Sequence, residues 1–125
     1  ECAVLEKNGE PIASPIGEIK VIGNHEFYDF EAKYLDGSTK LIIPAEISAQ
    51  DSDKIRAAAI KAFKALDCKG LARVDFFYSN GELIINEINT MPGFTTTSMY
   101  PRMWQAGGIS YQEIISILIE GALVN

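Results

Sequence analysis

Apolar and polar positions alternate along the first part of the chain, and the alternation predicts strands. Residues 2–7 read as one strand, Asn8-Gly9 is a turn signal, and a second extended segment follows around Glu10–Ala13. Residues 17–22 alternate again and predict a third strand. The stretch His25–Ser38 is aromatic and charged without a clean period, the pattern of a long structured loop of the kind that serves function. Lys40–Pro44 is a short strand ended by proline. From Asp51 the period changes: Ile55, Ala58, Ala59, Ala62, Phe63 and Leu66 recur at helical spacing, with Asp51 or Ser52 as N-cap. Two apolar strands, Leu71–Tyr78 and Leu83–Asn89, then flank Ser79-Asn80-Gly81, a hairpin signal. A loop over 91–98 leads to a helix starting at Pro101 and stopping at Gly107-Gly108. Ser110-Tyr-Gln-Glu113 is a capping box for a last helix whose predicted apolar face is Ile114, Ile115, Leu118, Ile119 and Ala122. Strands, helix, hairpin and helices in this order define an α+β domain, a largely antiparallel sheet flanked by helices.

Composition narrows the class. With 125 residues, 47% of them apolar, the chain supports one core and not two. Seventeen acidic against eleven basic residues give a net charge of −6, which argues against a nucleic-acid partner and leaves room for a small-molecule or metal site with a few local cations. No apolar run approaches the roughly 18 residues of a membrane span, and no signal peptide is visible. Cys2 and Cys68 have neither CxxC nor Cys/His spacing, so no zinc site or disulfide framework is indicated and the reducing cytoplasm is the default. The chain opens directly in strand-like sequence at Glu1-Cys2-Ala3, so it is expected to be a fragment of a longer protein.

Candidate chemistry concentrates in the hairpin. Its two apolar strands carry Arg73, Asp75, Glu87 and Asn89, and charged residues are seldom buried unless paired or bound to metal. Register decides whether these residues meet. A two-residue Asn80-Gly81 loop sets Asp75 opposite Asn86 and leaves Glu87 on the other side. A three-residue loop with Gly81 in a left-handed bulge sets Arg73 opposite Glu87 and Asp75 opposite Ile85, with all four polar residues on one face. The bulged three-residue hairpin is predicted. Two carboxylates and a carboxamide then offer hard oxygen ligands for Mg²⁺ or Mn²⁺, with a nucleoside triphosphate as the natural companion. Arg73 beside them stabilises developing negative charge. A plainer reading stays open: an Arg73–Glu87 cross-strand ion pair, an Asp75–Lys pair, and a merely polar loop after Pro92-Gly93.

Four segments in order resemble the C-terminal part of the D-alanine–D-alanine ligases of the ATP-grasp superfamily: Gly70-Leu-Ala-Arg-Val-Asp75, Ile85-Asn-Glu-Ile-Asn-Thr-Met-Pro-Gly-Phe-Thr95, Ser98-Met-Tyr-Pro101, and Phe27-Tyr-Asp-Phe-Glu-Ala-Lys-Tyr34, which is similar to that family's mobile loop. The resemblance runs from Glu1 to the end of the chain and implies ATP-dependent joining of two D-alanine molecules through a D-alanyl phosphate, for peptidoglycan precursors. It implies that Asp75, Glu87 and Asn89 bind two Mg²⁺ (or Mn²⁺) ions, with Glu87 bridging. It implies also that Arg73 and the Gly93 N–H form an oxyanion hole, and that Ser98 and the Met99 backbone hold the second D-alanine's carboxylate. Lys33 then meets the γ-phosphate of ATP and Tyr34 orients the second amino acid. Phe27 and Phe77 line the adenine pocket, with core packing as the alternative for both.

His25 reads as a loop residue, and Met99, Met103 and Trp104 as helix packing. The family's N-terminal domain and nucleotide-gripping central segment are absent, so the fragment is not expected to ligate alone. The Asp75–Glu87 spacing is one residue shorter than the family pattern, which bears on the register. Full length, the resemblance implies a cytoplasmic homodimer acting on small molecules. D-lactate or D-serine as second substrate is the nearest alternative. A non-catalytic metal- or nucleotide-binding module and a fragment pairing through its open strand are alternatives of other classes.

Overall fold

The computed structural model describes residues 1–21 and 39–124. The loop predicted over His25–Ser38, with Phe27, Lys33 and Tyr34, lies outside the described residues. The elements are β1 (Cys2–Lys7), β2 (Glu10–Ala13), β3 (Glu18–Val21), β4 (Thr39–Ile42), α1 (Ala49–Ala65), β5 (Leu71–Ser79), β6 (Glu82–Asn89), α2 (Met99–Ala106) and α3 (Tyr111–Leu123). An antiparallel sheet in the order β2-β1-β5-β6 forms the centre, and β3 pairs antiparallel with β4 in a second, two-stranded sheet.

Strand β1 is covered on both faces, which explains its uninterrupted buried run from Cys2 to Leu5. Cys2 and Val4 pack with Ala72 and Val74 of β5 against Ile55, Ala59 and Phe63 of α1. Ala3 and Leu5 face the other way, onto Tyr100, Met103 and Trp104 of α2 and Ile114 of α3. Each large side chain removed from water here stabilises the fold by about 1.5–3 kcal/mol. The fully buried Tyr100 satisfies its hydroxyl by donating to the Val4 carbonyl at 2.7 Å, which ties the start of α2 to the central strand.

Helix boundaries follow their caps. Helix α1 begins earlier than the Asp51 or Ser52 cap predicted, because Ser48 in extended conformation accepts from the Asp51 N–H at 3.1 Å. Helix α2 starts at Met99, ahead of Pro101. The proline sits in the first turn, where its missing N–H costs no intrahelical bond. Ser110 caps α3 as expected, accepting from Glu113 N–H at 3.1 Å. The buried stripe of α3 is shifted from the expected one. Ile114, Ile117 and Leu118 pack inward, whereas Ile115 and Ile119 are 37% and 57% exposed, one helical step off the stripe that meets β1 and α2.

The hairpin register differs from the predicted three-residue loop. Asn80 (φ 51°) and Gly81 (φ 80°) form a two-residue turn that pairs Ser79 with Glu82. The ladder then slips by one residue between Asp75 and Phe76. Phe76 faces Ile85, Asp75 faces Glu87, and Asn86 is the extra residue of a β-bulge. Arg73 therefore lies opposite Asn89 rather than Glu87, and Asp75 opposite Glu87 rather than Ile85.

Candidate functional site

The bulge brings the predicted residues together by a different route. Without it, the two-residue turn sets Asp75 against Asn86 and turns Glu87 to the α1 face. The one extra residue restores parity, and Arg73, Asp75, Glu87 and Asn89 share a face. Alternation along β5 sends Ala72, Val74 and Phe76 to the α1 core, and leaves Arg73, Asp75 and Phe77 on the opposite side. Phe77 faces Ile84 across the hairpin. At 62% and 54% exposed, the two form an apolar platform next to the acids, so the core-packing alternative for Phe77 does not hold.

Arg73 and Asp75 are each 8% exposed and bound to one another in parallel: Nε donates to Oδ1 at 2.8 Å and Nη2 to Oδ2 at 2.9 Å. Glu1, its side chain 7% exposed, brings Oε2 within 3.5 Å of Arg73 Nε. Burial alone pulls the guanidinium down. The hydrogen bonds to Asp75 and the charges of Glu1, Asp75 and Glu87 outweigh it and hold Arg73 above its ordinary value, so it is a permanent cation. Of the plainer pairings, neither Arg73–Glu87 nor Asp75–Lys is present among the described residues; Asp75 takes the arginine two residues before it.

The loop after β6 continues the site. Asn89 Oδ1 accepts from the Met91 N–H at 3.0 Å. The Phe94 ring lies against Tyr100 (centroids 5.9 Å apart) and Tyr111 (5.1 Å), and the Tyr111 hydroxyl donates to the Phe94 carbonyl at 2.7 Å. Ser98, at the N-cap of α2, does not cap the helix with its side chain. Its Oγ turns back to accept from Thr95 N–H at 2.9 Å and lies 2.7 Å from Thr95 Oγ1. Gly93 sits so near that a Cβ there would lie 3.3 Å from Ser98 Oγ. Met99 and Met103 pack across Gly17, and Trp104 is buried in the core, which agrees with the helix-packing reading of the three.

A cleft of about 890 Å³ opens beside this face, lined among others by Glu1, Glu18, Asp75, Phe77 and Glu87. That volume suits a nucleotide-sized ligand. Among the described residues, no three His, Cys, Asp or Glu side chains group as a metal cluster. The expected ligand set has only two acids and completes itself with Asn89. Its chemistry fits a hard dication: every donor is oxygen, each Asp75 oxygen engaged by Arg73 keeps a lone pair, and Asn89 Oδ1 has one left beside Met91 N–H. Sequence reasoning names the Thr95 hydroxyl only as one of several beyond Gly93 that suit an anion, and it misses the contacts of Glu1, Tyr100 and Tyr111. Alternation puts Glu1, just before β1, on the face of Ala3, but the pairing of Ala3 with Arg73 that brings it to the site comes from the tertiary register and not from the sequence.

An antiparallel sheet flanked by helices in this order is the architecture of the C-terminal portion of ATP-grasp ligases. The family model for the D-Ala–D-Ala ligase C-terminus matches residues 1–120, and the chain belongs to that family. It is 55% identical over 125 residues to the D-alanine–D-alanine ligase of Acetivibrio thermocellus, covering 98% of this chain and 32% of that protein. Among solved structures, the VanG D-Ala:D-Ser ligase of Enterococcus faecalis superposes with a TM-score of 0.81 at 41% identity, over 95% of this chain and 34% of that one. The D-alanine–D-alanine ligase of Bacillus anthracis complexed with ATP gives 0.75 at 29% identity, over 98% and 36%. The chain thus spans about a third of the length of the relatives it matches.

Proposed function

We propose that this chain is the C-terminal catalytic part of a longer cytoplasmic, homodimeric ligase that joins two D-alanine molecules at the expense of ATP. The observation that carries the reading is the convergence of Arg73, Asp75, Glu87 and Asn89 on one sheet face beside the exposed Phe77–Ile84 platform. In this reading the platform takes the adenine face, and Asp75, Glu87 and Asn89 hold two Mg²⁺ ions. When bound, the ions neutralise phosphate charge and hold the reacting oxygens in line. Arg73, fixed by Asp75 and Glu1, presents its remaining N–H groups to the developing oxyanion together with the Gly93 N–H. Ser98 and the first-turn N–H groups of α2 receive the carboxylate of the second amino acid, favoured there by the helix dipole. Lys33 and Tyr34 would meet the γ-phosphate and the incoming amine. Proton and phosphoryl transfer in this scheme leave ADP, phosphate and a D-alanyl dipeptide.

The full-length ligase, assayed for ADP release with D-alanine, D-serine and D-lactate in turn as acceptor, tests the reading. Turnover with D-alanine, lost on Glu87→Gln, is expected. ADP release that responds only to D-serine supports the second reading favoured by the likeness to the D-Ala:D-Ser ligase; no release with any acceptor overturns both.

A further inference from the structure

We infer that Tyr111, from α3, is a positioning residue for the second amino acid, acting through the Phe94–Thr95 peptide and the Thr95 side chain to set the Ser98 hydroxyl as a hydrogen-bond donor. The inference rests on the assignment of Ser98 to the acceptor carboxylate. Its physical basis is a chain of hydrogen bonds that runs through one peptide plane. The Tyr111 hydroxyl donates to the Phe94 carbonyl at 2.7 Å. In a trans peptide the N–H on the far side of that carbonyl belongs to Thr95 and points the opposite way, and it donates to Ser98 Oγ at 2.9 Å. The tyrosine thus fixes the tilt of the plane that aims at Ser98, and its bond polarises the next one in the same sense.

The Thr95 hydroxyl completes the arrangement. It lies 2.7 Å from Ser98 Oγ, so one of the two hydroxyl protons is consumed between them and one is left over. A serine hydroxyl has two lone pairs and one proton. The Thr95 N–H takes one lone pair; a carboxylate at Ser98 favours the arrangement in which the Thr95 O–H takes the other and Ser98 keeps its own proton to donate. Thr97 Oγ1, 3.4 Å from Thr95 Oγ1, stands at the rim of the same cluster. The Ser98 side chain therefore does not cap α2 because it is held backward by this chain, ready to receive an anion together with the helix N-terminus.

The test uses the full-length ligase with Tyr111→Phe, which keeps the tilted ring against Phe94, and Thr95→Val, which keeps the shape. Each is expected to raise KM for the acceptor amino acid about three- to tenfold, with kcat at saturating acceptor and KM for ATP changed less than about twofold. Thr95→Ser should recover most of the loss. In a Ser98→Ala background neither substitution should weaken the acceptor further, since both act through that hydroxyl. Unchanged acceptor KM in both variants, or an equal effect with and without the Ser98 hydroxyl, overturns the inference and leaves the acceptor site intact. A Ser98→Ala enzyme with wild-type acceptor KM overturns the site assignment itself, and the inference with it.

Discussion

Arg73 grips Asp75, two residues further along the same strand, through two parallel hydrogen bonds of 2.8 and 2.9 Å. Side chains at i and i+2 of a strand lie on one face, and the planar guanidinium matches the carboxylate edge to edge. The pair keeps a metal-ligand candidate and an oxyanion-hole candidate in a fixed relation, so that moving one moves the other.

Removing the cation leaves Asp75 and Glu1 as buried carboxylates beside each other. Arg73→Ala is expected to lower stability by about 3 kcal/mol, read as a drop in the urea midpoint. Arg73→Lys keeps the charge and loses the parallel fork, and should cost about 1 kcal/mol. An alanine variant as stable as the parent would contradict the pairing.

A methyl group at Gly93 tests the proposed acceptor subsite. Its backbone needs no left-handed conformation, and the added carbon would stand 3.3 Å from Ser98 Oγ, which is tighter than ordinary contact. Gly93→Ala in the full-length ligase should raise acceptor KM at least about threefold while the thermal midpoint moves by less than about 2 °C. A large loss of stability with unchanged KM would place the glycine in the scaffold instead.

Alkaline stability should report on Cys2. Burial pushes its thiol up from 9.0 to about 11. The folded state therefore holds the proton where the unfolded chain has lost it. The contribution is complete below pH 9 and disappears as pH rises through 11, with a total of about 3 kcal/mol. Tyr100, also raised by its burial, adds a similar fall at higher pH. Unfolding free energies from pH 7 to 11 should fall more steeply for the parent than for Cys2→Ala, and equal slopes would refute the burial argument.

Much of this architecture is legible in residue order. Asn8-Gly9, Asn80-Gly81 and Ser110-Glu113 mark turns and a cap by their own chemistry, and the structure has each of them. The site face was readable because parity, not register, decides it. The expected three-residue loop and the observed two-residue turn with a bulge at Asn86 both put residues 73, 75, 87 and 89 on one side. The bulge itself was not readable, since an unpaired Asn86 in a strand carries no special residue type. The Arg73–Asp75 grip depends on Glu1 and on burial contributed by distant elements. Tyr111 reaches Phe94 across 17 residues, a contact that neither helical nor strand period encodes. The buried stripe of α3 lies one step from the expected one because periodicity fixes spacing but not which side meets the sheet.

Binding of Mn²⁺ to the full-length ligase with a non-hydrolysable ATP analogue, followed by electron paramagnetic resonance, tests the shared face most directly. Asp75→Asn and Glu87→Gln should each weaken Mn²⁺ at least about tenfold, while Glu82→Gln, on the same strand beside the turn, should bind as the parent does. Parental Mn²⁺ affinity in both site variants would contradict the assignment of these residues to a common metal-nucleotide face.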